Sequence, residues 1–250
     1  MRRDKGVVVN PKHVAALLRT LATELSNHHA DLGMPRRLCL AAAALSRAPG
    51  VALTVAYASA ERITLCATDD VAARLEDLQD VLSQGPGRLA FTDGVHVRAL
   101  LDHVEDPRWP ELSGAVRDEL GPVLVEAFPM RSGGEVVGVL TYHLEPGAAL
   151  ALDTADGQLV ADLVGGAAVE HDPADELQIV GGTGPWADRS AIHQATGMVM
   201  AQLRLGAGDA ATLLKAHAFA SGEPLATTAH RVLDRTLDFR TTDSSEGSSP

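Results

Sequence analysis

Cysteine occurs only twice in the 250 residues, as Cys39 and Cys66, which excludes a disulfide framework and a four-cysteine zinc site. Both fall in segments with helix or strand character and read as buried core. Aromatic residues make up only 3% of the chain, so a 46% hydrophobic content has to form its core from Leu, Val and Ala. Long apolar runs are missing too. The longest, 39–45 and 51–58, are separated by Ser46, Arg47, Pro49 and Gly50, and neither approaches the roughly 18 residues that span a bilayer. The first twelve residues are basic without the apolar stretch of a secretory signal, so a cytoplasmic protein is expected.

Signatures of covalent chemistry are absent as well. There is no G-x-S-x-G turn, phosphate-binding P-loop or H-E-x-x-H helix. Gly85-Pro86-Gly87 and Gly181-Gly182-Thr183-Gly184 are too short to cradle a phosphate. His96 and His103 with Asp102, Glu105 and Asp106 read as solvated surface, as does His28-His29. No enzyme activity, metal or cofactor is expected.

Charge is unevenly placed. The chain carries −12 overall, but residues 186–240 hold six basic and five acidic side chains and three histidines, leaving −13 on the remainder. A nucleic-acid contact is therefore sought only in the C-terminal quarter.

Apolar spacing predicts helices over 12–27, 35–46 and 71–82, strands over 51–58 and 62–68, and a strand hairpin 123–130/136–144 turned at Ser132-Gly133-Gly134. A helix from 153 to about 169, capped by Asp153, follows. Residues 88–120 are mixed, with Trp109 as their large anchor, and Glu76, Asp77 and Asp80 read as the solvated face of their helix. This is an α+β fold with an antiparallel sheet and flanking helices. A Gly/Pro-containing stretch then leads to an all-α unit of three short helices. Asp188 is expected to cap the first, Asp209 the second after a break at Gly206-Ala207-Gly208, and Pro224 to begin the third after Gly222. The organisation is a tail (1–12), a sensor-sized domain (13–170), a linker (171–186), a helical domain (187–240) and a disordered Ser/Thr-rich tail (241–250). So small a bundle needs a neighbouring domain or partner chain.

The three helices read R-S-A-I-H-Q-A-T-G-M-V-M, A-A-T-L-L-K-A-H-A-F-A and P-L-A-T-T-A-H-R-V-L. With Ala195, Gly197, Leu214, Lys215, Ala218, Leu225 and Ala229 matching in order and spacing, residues 189–237 resemble the ANTAR domain, an RNA-binding module of bacterial antitermination regulators. Upstream, Leu82, Gly85-Pro86 and Val95 and the hairpin P-M-x-S-G-G-E-V-V-G-V-L make residues 36–169 similar to a GAF domain, a ligand-sensing α+β fold. GAF followed by ANTAR is an arrangement of actinobacterial regulators. The resemblance implies a sensor that binds stem-loops of nascent mRNA and prevents a terminator hairpin from forming.

Candidate RNA contacts follow from helix geometry. Arg231 and Arg235 are four apart, Lys215 and His217 lie on the second helix, and His193 and Arg204, eleven apart, share a face of the first. RNA loops offer unstacked bases and phosphates to such side chains. Gly197 within a helix costs about 1 kcal/mol against alanine, and close helix packing is the expected reason for it. For a small-molecule pocket between sheet and helices the candidates are Tyr57, Leu89, Phe91 and Tyr142. A homodimer is expected, with no membrane partner. The near-neutral charge of the bundle leaves a second reading, a protein-interaction and dimerisation regulator whose bundle no longer binds RNA.

Overall fold

The structure, a computed structural model, describes residues 11–27, 32–57, 61–102, 108–170 and 185–240. The linker residues 171–184, both tails (1–10 and 241–250) and His28, His29, His103, Glu105 and Asp106 lie outside the described residues.

Five strands form one antiparallel sheet: β1 (Gly50–Tyr57), β2 (Glu61–Ala67), β3 (Val97–Leu101), β4 (Val123–Ser132) and β5 (Glu135–Leu144). Their order is β2-β1-β5-β4-β3. Alternation along the strands sends side chains to two cores. One face packs Leu53, Phe128, Met130, Leu140 and Tyr142 against α1 (Pro11–Asn27), α2 (Met34–Ser46) and α6 (Thr154–Glu170). The other packs Val97, Ala99, Val125, Ala127 and Val139 against α3 (Asp70–Val81), α4 (Pro86–Asp93) and α5 (Pro110–Glu119). Cys39 and Cys66 are buried in the first core, and burial pushes the Cys39 thiol well above its usual range.

Three elements of the mixed stretch 88–120 were not foreseen. Gly85, at φ +126°, turns the chain so that Pro86 opens α4, making Gly-Pro-Gly a helix start rather than only a stop. β3 is a five-residue edge strand in which only Val97, Ala99 and Leu101 are buried. Pro110 opens α5 directly after the buried Trp109.

Two features fix helices to the sheet. Asp69 caps α3, accepting the Ala72 N–H at 2.7 Å, and pairs with His143 of β5. Gly50 passes under that pair, where a Cβ would strike both side chains. On the opposite face α6 carries two notches. A Cβ at Gly157 would stand 2.6 Å from Phe128, and one at Gly165 2.7 Å from Met130. Asp153 caps this helix as expected, accepting the Asp156 N–H at 2.9 Å.

The C-terminal unit consists of α7 (Pro185–Leu203), α8 (Ala207–Ser221) and α9 (Leu225–Leu233), around a core of Ala195, Val199, Leu214, Ala218, Ala229 and Val232. α7 begins at Pro185 and Gly206 is the N-cap of α8, so Asp188 and Asp209 sit inside first turns rather than at caps. Their charge still favours those helix ends. Gly222 closes α8 in the left-handed conformation. The bundle rests on the sensor-sized unit, with α7 against β2, α8 against α3, and Val81 packed on the bundle core.

The notches give a paired prediction. Gly165→Ala is expected to cost about 1–3 kcal/mol through overpacking against Met130. Gly166→Ala, with open space at its Cβ, is expected to gain up to about 1 kcal/mol from helix propensity. Urea midpoints of the two variants test the contrast.

Candidate nucleic-acid interface and sensor face

α7 turns one stripe to solvent. His193, Gly197 and Ala201 are exposed at spacings of four, whereas Arg204, expected to share this face with His193, is exposed just past the helix end at φ +57°. Nothing lies within 4 Å of a Cβ built on Gly197. The expected helix packing does not occur there, and the glycine instead leaves bare backbone between His193 and Ala201. Beside this stripe lies a half-open groove of about 400 Å³, lined by Met198, Ala201, Gln202, Arg235, Leu237, Asp238 and Arg240. Its lining is mixed: Met198, Ala201 and Leu237 are apolar, Arg235 is cationic, and Arg240 is paired with Asp238 at 2.6 Å. The chain wraps back along α7 here, the Phe239 N–H donating to Gln202 Oε1 at 3.3 Å.

The six predicted RNA contacts do not form one patch. Arg231 and Arg235 do not share a helix face, because α9 ends at Leu233 and Arg235 adopts φ +59°. Arg231 is bound 2.7 Å from Glu223 rather than to Asp234. Burial raises the Glu223 carboxyl, but bonds from Thr228 and Arg231 outweigh it and hold it below its ordinary range. Arg235 lines the groove and makes no ion pair among the described residues. His217 stacks edge-on against Phe239 with its Nε2 buried. Lys215 points away from the groove, to α3 of the other unit, where Nζ lies 2.9 Å from the Asp80 carbonyl oxygen and 3.5 Å from its carboxylate.

The acidic series on α3 is correspondingly not a solvated face. Glu76 is buried, accepting from Thr54 Oγ1 at 3.1 Å and Gln79 Nε2 at 2.8 Å. Gln79 Oε1 in turn accepts the Gly87 N–H of α4 at 2.7 Å. Asp77 accepts the Leu225 N–H at the start of α9 at 3.1 Å, and burial raises its carboxyl above the ordinary range. Sequence periodicity identified the side of α3 away from the leucines but carried no sign that another element covers it.

The four sensor candidates are divided by the sheet. Leu89 and Phe91 of α4 are half-buried against the α3–α5 core, whereas Tyr142 is buried in the opposite core, edge-on to Phe128. They cannot line one cavity, since residue 142 alternates to the far face. Tyr57 ends β1, and its side chain lies outside the described residues. Burial pushes the Tyr142 phenol far above its usual range, and its oxygen has no hydrogen-bond partner among the described residues. A polar group that sequence reading missed is Arg62 of β2. Its Nε and Nη1 are buried without partners, with Nη1 3.4 Å from where a Gly87 Cβ would stand, and burial lowers its pKa. On the other face, His96 and Arg98 both bind Glu126, at 2.8 and 2.7 Å. His96 is thus hydrogen-bonded to Glu126 and stacked on Phe128, not the solvated surface expected of it.

Comparison with known proteins places an ANTAR domain at residues 186–233. ANTAR domains are RNA-binding modules of antitermination regulators. Residues 234–240, which build one wall of the groove, lie beyond the matched segment. No curated protein matches the chain. Among solved structures, the chain is similar to the GAF domain of a phosphoenolpyruvate-protein phosphotransferase from Coxiella burnetii, at 17% identity over 67% of this chain and 99% of that one, with a TM-score of 0.43. A GAF domain/HD domain protein from Geobacter sulfurreducens is similar at 17% identity over 62% and 90% of the two chains, with a TM-score of 0.36. An RNA-binding light-oxygen-voltage receptor is similar at 21% identity over 75% of this chain and 47% of that one, with a TM-score of 0.22. No helix among the described residues is long and apolar enough to cross a membrane.

Two predictions follow from buried oxygens. Tyr142→Phe removes a hydroxyl without a protein partner and is expected to leave stability unchanged or raise it by about 1 kcal/mol, read from the urea midpoint. A large loss would show that the hydroxyl is bonded. The raised carboxyl of Asp77 holds its proton more tightly folded than unfolded. Its contribution is therefore present in acid and is lost as pH rises from about 4 through the raised value. Asp77→Asn is expected to flatten that descent in a series of urea midpoints from pH 4 to 7.

Proposed function

We propose that this protein is a transcription antitermination regulator, binding a stem-loop of nascent mRNA through its ANTAR domain under the control of an N-terminal GAF-like sensor. The reading rests on the ANTAR match and on the exposed face of α7 at His193, Gly197 and Ala201, beside a groove that Arg235 and the Asp238-paired Arg240 line. The apolar lining residues Met198 and Leu237 suit an unstacked loop base, and the arginines suit its phosphates. The protein acts by occupancy: binding stabilises one hairpin over another, with no covalent step. The antiparallel sheet covered by helices on both faces is the layout expected of a GAF-like sensor, and a small molecule is its proposed input. We place the protein in the cytoplasm as a homodimer, for which Leu18 of α1 and Val169 of α6 offer exposed apolar contacts.

A rival reading is favoured by Leu213 and Phe219, exposed at 37% and 41% on α8. Large apolar side chains on so short a helix suit a partner protein. Fluorescence anisotropy with a panel of RNA hairpins at two salt concentrations separates the readings. Loop-selective, salt-sensitive binding by the wild type is expected. Ala201→Glu should weaken it at least tenfold, and Arg235→Ala/Arg240→Ala should lower the salt dependence by about one to two phosphate contacts. Equal affinity of all variants, or binding indifferent to the hairpin loop, overturns the antitermination reading in favour of the interaction module.

A further inference from the structure

Helix α3 belongs to two units at once. Its inner side is tied to the sensor core through Glu76, Thr54 and Gln79, and through Gln79 to the first turn of α4. Its outer side carries Asp77 and Asp80, three residues apart and so on one face. Each of these holds the ANTAR unit at a position suited to an anion. α9 starts at Leu225 after the N-cap Pro224, which supplies no side-chain acceptor, and the Asp77 carboxylate, also paired with Arg74 of its own helix, accepts the Leu225 N–H in its place. Lys215 reaches the last turn of α3, bound by the Asp80 carbonyl and carboxylate together, where the helix end favours a cation. A helix N-terminus and a lysine are also the two kinds of group that hold phosphate.

We propose that α3 is a built-in competitor of RNA: docked, its Asp77 and Asp80 occupy the α9 N-terminus and Lys215, and displacement of α3 frees both for the phosphate backbone. This rests on the RNA-binding reading above and adds to it a second phosphate contact, on the side of the unit that faces α3 rather than at the groove. The acids satisfy in the closed state what phosphates satisfy in the open one, so neither state leaves the helix end or the lysine without a partner. The polar chain Thr54–Glu76–Gln79–Gly87 makes α3 answer to changes in the sheet and in α4, which is how a sensor input reaches the lock.

The test keeps the ANTAR sequence intact and alters only the sensor side of the contact. Full-length wild type, Asp77→Ala/Asp80→Ala, the single charge reversal Asp80→Lys, and the control Asp93→Ala, an exposed acid on α4 away from the contact, are titrated with the same RNA hairpins. Amide exchange at Leu225 is followed beside that of Val125 and Leu140 in the sheet. Both lock variants are expected to bind at least tenfold more tightly than wild type and to lose protection at Leu225 while the sheet stays protected. The control should match wild type. If wild type and lock variants bind hairpins equally, or the control gains as much as they do, the competitor role is overturned while RNA binding stands. If no variant binds any hairpin, the RNA-binding reading fails and this inference fails with it.

Discussion

A three-helix unit of some fifty residues, whose core is made largely of Ala191, Ala195, Ala210, Ala218 and Ala229, buries too little apolar surface to be secure alone. The rest of the structure is organised by that deficit. α3 must cover one face of the sheet and also support the bundle, so its outer side cannot be merely solvated. It carries acids because what the bundle offers there is a helix N-terminus and a lysine. One apolar residue, Val81, joins the bundle core. Beside it, α3 holds the bundle through the polar contacts of Asp77 and Asp80.

The sheet divides the sensor-sized unit into chemically different halves. The α1, α2 and α6 side combines an apolar core, in which burial raises the Cys39 thiol and the Tyr142 phenol, with Glu126 bound by His96 and Arg98. The α3–α5 side carries a buried polar chain and the guanidinium of Arg62, whose burial is met by the nearby charge of Glu76 and opposed by that of Arg88. Buried polar groups cost free energy unless they are bonded. On the side that also supports the bundle, the bonded chain links the sheet, α3 and α4.

Most of the fold was legible in the sequence. The long helices, the 123–144 hairpin and the three C-terminal helices follow from apolar spacing and from turn residues such as Gly133-Gly134 and Gly222, all of which the structure contains. The elements missed are short, and two of them, α4 and α5, are opened by a proline that also reads as a break. The candidate site was less legible because it depends on contacts distant in the chain. Nothing local marks Lys215 as bound to residue 80, or Asp77 as the cap of a helix 148 positions later. Arg235 was placed on a helix face by its spacing from Arg231, yet its left-handed conformation carries it into the groove instead. Gly197 was read correctly as an anomaly, but its reason lies on the open side of α7.

The two notches of α6 have a consequence beyond packing. Gly157 and Gly165 are eight residues apart, about 12 Å along the helix, and they seat against Phe128 and Met130. The helix is thereby keyed to the sheet at two points and cannot slide along it. Its last residue, Glu170, is a stationary mooring for the chain that leads to the ANTAR unit. A unit undocked from α3 therefore stays leashed beside it, and redocking remains a first-order event governed by an effective concentration rather than by the amount of protein present. If α3 is the competitor proposed above, RNA competes with a neighbour of fixed local abundance, and the threshold for capture does not depend on how strongly the protein is expressed.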